Sequence, residues 1–188
     1  MGHHSDHQMG CGQHHLPPGA ARFYPETRQF PPDTPHAHVA GYGEAICTDC
    51  QAIWRHKRWQ LDAIGASRLA GHPRVRRLRC PACTQIARHE YDGEVFLEGP
   101  LVSKDHGAIL GLLRNTEWRL RQNNPLARLA RIERTGDRLR ILTITPFLAE
   151  RIGKEMQKAY DGTLRITHAQ RERFTRVFWS RDEDGDVR

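Results

Sequence analysis

Cys47-Thr48-Asp49-Cys50 and, after a gap of twenty-nine residues, Cys80-Pro81-Ala82-Cys83 place two Cys-x-x-Cys turns in one chain. One such turn lets two thiolates reach the same ion, and a second completes a tetrahedron around it. Four thiolates leave no open position for a reacting water. The spacing therefore predicts a structural zinc site with Cys47, Cys50, Cys80 and Cys83 as its ligands. Two disulfides or a thioredoxin-like redox pair are the alternatives. Disulfides fit poorly with the absence of an apolar signal-like stretch, and the fifth cysteine, Cys11, stands alone in a polar segment. A redox pair has no use for the second turn.

Working outward, Gln51 to Trp59 alternates bulky and polar residues and reads as a short hairpin leaving the first turn, as in zinc ribbons and treble clefs. The stretch that follows is basic: Arg55, Lys57, Arg58, Arg68, Arg74, Arg76, Arg77 and Arg79 stand against Asp62 alone. Such side chains neutralise phosphates, which makes them the candidate nucleic-acid contacts. Trp54 and Trp59 lie among them. Either they stack on unpaired bases or they pack over the zinc turns, and a small zinc unit with little other core favours packing. His72 and His89 flank the second turn but are superfluous beside four thiolates, and are expected on the surface.

The remainder divides by composition. Residues 1–40, rich in His, Gly and Pro without a hydrophobic period, are expected to be a disordered tail with incidental metal affinity. Residues 41–90 form the zinc-binding module, 91–180 an α/β sandwich, and 181–188 a charged tail. In the third segment, Glu94–Glu98 reads as a strand, and Ser103 as the cap of a helix presenting Ile109, Leu112, Leu113, Thr116 and Leu120 on one face. Two strands, 126–133 and 137–145, meet at Gly136. A second helix starts at Pro146 with Leu148, Ile152, Met156 and Ala159 as its stripe. Gly153 is a small residue where that helix nears the sheet, and Gly162 stops it. Strands 163–167 and 174–179 close the chain. The order gives an α+β protein: a zinc ribbon or treble-clef-like module followed by a ferredoxin-like βαββαβ domain with one extra strand.

The chain has 188 residues, a formal charge of +7 and 38% apolar residues, with a pI near 9.5. That balance favours a polyanionic partner. No 18-residue apolar run is present, so no membrane helix is expected, and the cytoplasm is the expected compartment. An RNA-recognition module would stack bases on aromatics of its central strands. Leu139–Thr145, the expected central strand, carries none. Gly153 lacks the partner glycine of a KH loop. Phosphate-cradling glycine motifs and a nucleophile elbow are missing too, so an enzyme is not expected.

The run Cys47-Thr-Asp-Cys50-Gln-Ala-Ile-Trp54, with Lys57-Arg58-Trp59 and Cys80-Pro-Ala-Cys83, resembles small bacterial proteins of unknown function that carry the same turns and hairpin. The likeness extends from Gly93 to Trp179 and includes Asn115, Pro125, Leu148–Gly153, Ala159–Gly162 and Arg176-Val177. The zinc part is in turn similar to the N-terminal knuckles of the NMD3 family, archaeal and eukaryotic adaptors of the large ribosomal subunit. That likeness implies zinc on the four cysteines and a ribosome- or rRNA-associated adaptor. The expected function is a zinc-binding protein that docks on structured RNA or the ribosome. A protein–protein adaptor is the alternative, and a zinc hydrolase using His89 or His106 is a third reading that needs an open metal position.

Overall fold

The computed structural model describes residues 43–169 and 174–182. The expected N-terminal tail with Cys11, and the charged tail beyond residue 182, lie outside them.

The first part is a four-stranded sheet of very short strands: β1 (Ala45–Cys47), β2 (Ile53–Arg55), β3 (Arg58–Gln60) and β4 (Arg76–Leu78). They run in the order β3-β2-β1-β4, with β4 parallel to β1 and the other pairs antiparallel. The hairpin expected after the first Cys-x-x-Cys turn is β2–β3. Alternation assigns the two faces. Ile46 and Ile53 meet helix α1 (Ala63–Ala70) through Ala66 and Leu69. Ala45, Cys47, Trp54 and Trp59 face the other way, toward helix α2 (Pro81–Ala87). Helix α1 starts where the Asp62 carboxylate accepts the Gly65 N–H at 2.8 Å.

The second part is a mixed sheet of five strands. Its elements are β5 (Gly93–Glu98), α3 (Pro100–Lys104), α4 (His106–Asn123), β6 (Leu129–Thr135), β7 (Arg138–Thr143), α5 (Pro146–Tyr160), β8 (Thr163–His168) and β9 (Thr175–Ser180). One face is the core. Val95, Leu97, Leu139, Ile141, Val177 and Trp179 alternate inward and pack on Ile109 and Leu113 of α4 and on Leu148, Ile152 and Met156 of α5. Helix α5 starts at Pro146 behind Thr145, whose hydroxyl accepts the Leu148 N–H. It ends where Asp161 and Gly162 take positive φ, and the Trp179 indole N–H donates to the Asp161 carbonyl at 2.7 Å. The Gly136 turn lies between β6 and β7 at φ +57.

The expected element order is found, but the pairing differs from a ferredoxin-like sheet. The strand order is β6-β7-β5-β9-β8, and β9 lies parallel to β5. An antiparallel βαββαβ sheet would seat β8 there. The reason is in the alternation: β9 buries Thr175, Val177 and Trp179 completely or nearly so, whereas Leu164 and Ile166 of β8 are only partly buried. The more apolar strand takes the interior and β8 becomes an edge. Leu139–Thr143 is consequently not the central strand. That position belongs to β5, which carries Phe96 on the open face, stacked on Phe178 of β9 at 5.2 Å between centroids.

Ser103 does not cap the long helix. It lies within α3, and its hydroxyl reaches Asp137 at the β6–β7 turn, while α4 begins after Asp105. The break falls at Asp105, whose backbone (φ -110, ψ 28) leaves the helical region and divides the expected single helix into two. No helix among the described residues is long and apolar enough to cross a membrane.

Gly153 marks the closest approach of α5 to the sheet: a Cβ there would sit 2.5 Å from Val177 Cγ1 and 2.8 Å from Leu164 Cδ1. Gly111 in α4 has nothing within 4 Å. Gly153→Ala is expected to destabilise the protein by about 1–2 kcal/mol, because overpacking outweighs the gain in helix propensity. Gly111→Ala is expected to stabilise it by about 0.5–1 kcal/mol. Thermal denaturation of the two variants checks the opposite signs.

Candidate metal centre

Two elements bring the four cysteines together. Cys47 ends β1, and the turn behind it is closed by Gln51 N–H to Cys47 O at 3.1 Å and Cys47 N–H to Ala52 O at 2.8 Å. Gln51 takes a left-handed φ of 59 to make that turn. The second pair straddles the start of α2: Cys80 is its N-cap, Pro81 opens the first turn, and Cys83 follows within that turn. Thr48 N–H donates to Leu78 O at 3.2 Å, so β4 holds the first turn beside the second.

All four Sγ atoms lie within 4.8 Å of one another. Cys50 Sγ and Cys80 Sγ are 3.7 Å apart. The edge of a tetrahedron with metal–sulfur bonds of about 2.3 Å is about 3.8 Å, so the donor set fits a zinc-sized ion. A disulfide needs sulfurs about 2.05 Å apart, and all four cysteines are free thiols. Cys47, Cys80 and Cys83 are buried and Cys50 is partly exposed.

The thiols respond to one another. Hydrogen bonds from Cys50 and Cys80 hold the Cys47 thiol far below the ordinary range. Those to Cys47 and Cys50 push Cys80 up. Burial, and then the charges of Cys50 and Cys47, push Cys83 up to about 12. A buried cluster of this kind stabilises the Cys47 thiolate and holds the protons of Cys80 and Cys83. A divalent cation would displace them.

Around the sulfurs stand Trp54 and Trp59, each 5% exposed and packed edge-to-face at 5.8 Å. The indoles therefore wall the centre, as the packing reading expected. Ile144, Leu126 and Ala130 of the five-stranded part join the same cluster. One polar contact also crosses over: Arg128 Nη1 donates to Cys83 Sγ at 3.1 Å. The cysteine spacing contained no sign of this residue. The Cys80 N–H also points at Cys47 Sγ, at 3.3 Å.

His72 and His89 are exposed and stand outside the cluster. His72 Nδ1 accepts the Arg74 N–H, and His89 Nδ1 lies 3.2 Å from the Tyr91 hydroxyl. His106 sits at the start of α4, away from the sulfurs.

The expected phosphate-binding residues are spread around the small sheet. By strand alternation, Arg55, Arg58 and Arg77 lie on its α1 side, Arg68 is in the last turn of α1, and Arg74 follows that helix. Arg76 lies on the opposite face. Arg55 pairs with Glu44 at 2.5 Å and lies 3.8 Å from Asp62, Arg79 pairs with Asp49 at 2.8 Å, and Arg77 donates to the Ala70 carbonyl. Lys57, Arg58, Arg68 and Arg74 are exposed without an ion pair among the described residues.

Compared with models of protein families, with curated proteins and with solved structures, the chain matches none of them.

The cobalt-substituted protein is expected to show the absorption spectrum of a tetrahedral four-sulfur site, and Cys80→Ser to lose it together with the cooperative unfolding of residues 45–87. A spectrum with nitrogen or water ligands would rule out the closed site. Because loading displaces protons from thiols held above their ordinary range, zinc affinity is expected to fall as pH is lowered. Chelator competition between about pH 6 and 8 reads that slope, and an affinity independent of pH would contradict it.

Proposed function

We propose that the chain is a zinc-dependent docking protein whose treble-clef-like module engages structured RNA, with the ribosome as the natural setting, and that it acts by binding rather than by catalysis. The observation that carries this reading is the set of exposed cations around the small sheet. Lys57, Arg58, Arg68 and Arg74 have no carboxylate partners among the described residues. Residues 43–90 hold nine Arg and Lys against four Asp and Glu, so the charge excess of the chain is concentrated in this module. Unpaired surface cations gain by replacing the counterions of a phosphate backbone.

Zinc in this reading is structural. It fixes the turn before β2 and the start of α2, and with them the geometry of the basic side. Four sulfurs occupy every position of the metal, which leaves the hydrolase reading without a place for water.

Shape and phosphates, rather than stacked bases, are the expected basis of recognition. Trp54 and Trp59 are buried. On the open face of the large sheet Phe96 and Phe178 cover each other, and the Arg165 guanidinium lies 4.7 Å over Phe178. The rings stand ready-covered. The second reading, a protein–protein adaptor, draws on the exposed apolar side chains Ile64, Trp118 and Phe147, at 68, 63 and 58% exposure.

RNA binding by the full chain is expected to weaken steeply with salt. Arg68→Glu combined with Arg74→Glu should weaken it without regard to sequence and reduce the salt slope by about one per lost phosphate contact. Affinity unchanged from low to high salt, in a filter-binding or fluorescence assay, would sink the RNA reading and favour the adaptor.

A further inference from the structure

Arg128 is a partly buried cation without an acidic partner. Its Nε is enclosed and meets no acceptor, and no carboxylate among the described residues pairs with it. Its guanidinium donates through Nη1 to Cys83 Sγ, across a sequence distance of 45 residues. The backbone that carries it is fixed: Ile144 N–H donates to Arg128 O at 3.0 Å, and Leu129 N–H donates to the Glu117 carboxylate at 3.0 Å. A guanidinium withdrawn from water is costly unless an anion compensates it. A neutral Cys83 thiol supplies no such anion. Four thiolates around a divalent cation carry two net negative charges, and that unit lies at hydrogen-bond distance.

We propose that Arg128 is a positioning residue of the metal centre: it offsets the charge of the metal–tetrathiolate unit through Cys83, so that the centre is completed from the five-stranded sheet. This rests on the zinc part of the reading above and not on the RNA part. Two consequences follow from the charge argument. The metal stabilises Arg128 in its pocket as much as Arg128 stabilises the metal, since linkage is reciprocal. And a thiolate that loses a cationic hydrogen bond holds its electrons less tightly, which lowers the energy of its charge transfer to a bound metal.

The test uses the full chain, with Arg128→Met, which keeps the bulk of the side chain without its charge, and Arg128→Lys, which keeps the charge. Zinc affinity is measured by competition with a chromogenic chelator. Arg128→Met is expected to bind zinc about 10- to 100-fold more weakly, the range found when partners of metal ligands are removed, with Arg128→Lys in between. The thiolate-to-cobalt band of the Met variant is expected at lower energy than that of the wild type. Ile144→Ala, which loosens the same interface without touching the charge, should lower the melting temperature while leaving that band in place. A Met variant with wild-type zinc affinity and an unshifted band would overturn the proposal. Should that variant fail to fold, Arg128→Gln, which also removes the charge, decides: a reduced affinity supports the role, and wild-type affinity with an unshifted band overturns it. Wild-type protein that takes up no zinc at the four cysteines would instead defeat the zinc reading itself.

Discussion

Residues 45–87 depend on the convergence of four sulfurs. Each strand of the small sheet is three residues long, so the ladders contain few hydrogen bonds. Its apolar residues form two separate small clusters, one under α1 and one around the cysteines. Short hairpins of this size are marginal in water without further support. A cation held by Cys47, Cys50, Cys80 and Cys83 would join the end of β1 to the start of α2 and close the loop between them. Because the unfolded chain offers no such site, the binding energy is available to the folded state alone. The indoles of Trp54 and Trp59 then serve as walls of the centre.

The large sheet has a different basis. Its inner face is a continuous apolar layer under α4 and α5, and it needs no ion. Its open face is organised by charge. Glu94, 5% exposed, accepts from Arg140 at 2.7 Å and from Arg176 at 2.9 Å, on the strands to either side. Burial works against the charge of Arg140, but its bonds to Glu94, then Glu133, carry its guanidinium above the ordinary value. Two charge-assisted donors are what a carboxylate in that position requires. Arg138 meets Glu98, and Arg131 meets Glu133.

Legibility in the sequence followed the range of the interaction. The four ligands could be read from spacing because each pair is local and the chemistry allows few alternatives. Helix α5, the β6–β7 turn at Gly136 and the tight approach at Gly153 were legible for the same reason: period, turn chemistry and side-chain size act within a few residues. Helix α1, strand β4 and helix α2 were not anticipated. Eight, three and seven residues are too short for a clear period, and the arginines of 68–79 masked the apolar positions Leu69, Val75 and Leu78. The placement of β9 beside β5 depends on comparing the apolar faces of two distant strands. Arg128 depends on a contact across 45 residues, and nothing local distinguishes it from any other arginine in a strand region.

That contact also bears on where the charge of the protein is available. A metal–tetrathiolate unit brings two negative charges beneath a basic surface and would draw on the nearest cations. Arg128, from the segment leading into the five-stranded sheet, already donates to Cys83 Sγ. In the large sheet Arg138, Arg140 and Arg176 are engaged by glutamates on neighbouring strands, and Arg131 by Glu133 of its own strand. Lys57, Arg58, Arg68 and Arg74 are thus asked to neutralise neither the metal centre nor a carboxylate. Their charge remains directed outward, and at a Debye length of about 8 Å in physiological salt it acts chiefly on a partner in close contact. With a metal bound, the same division would let one small unit hold an anionic centre inside and present a cationic surface outside.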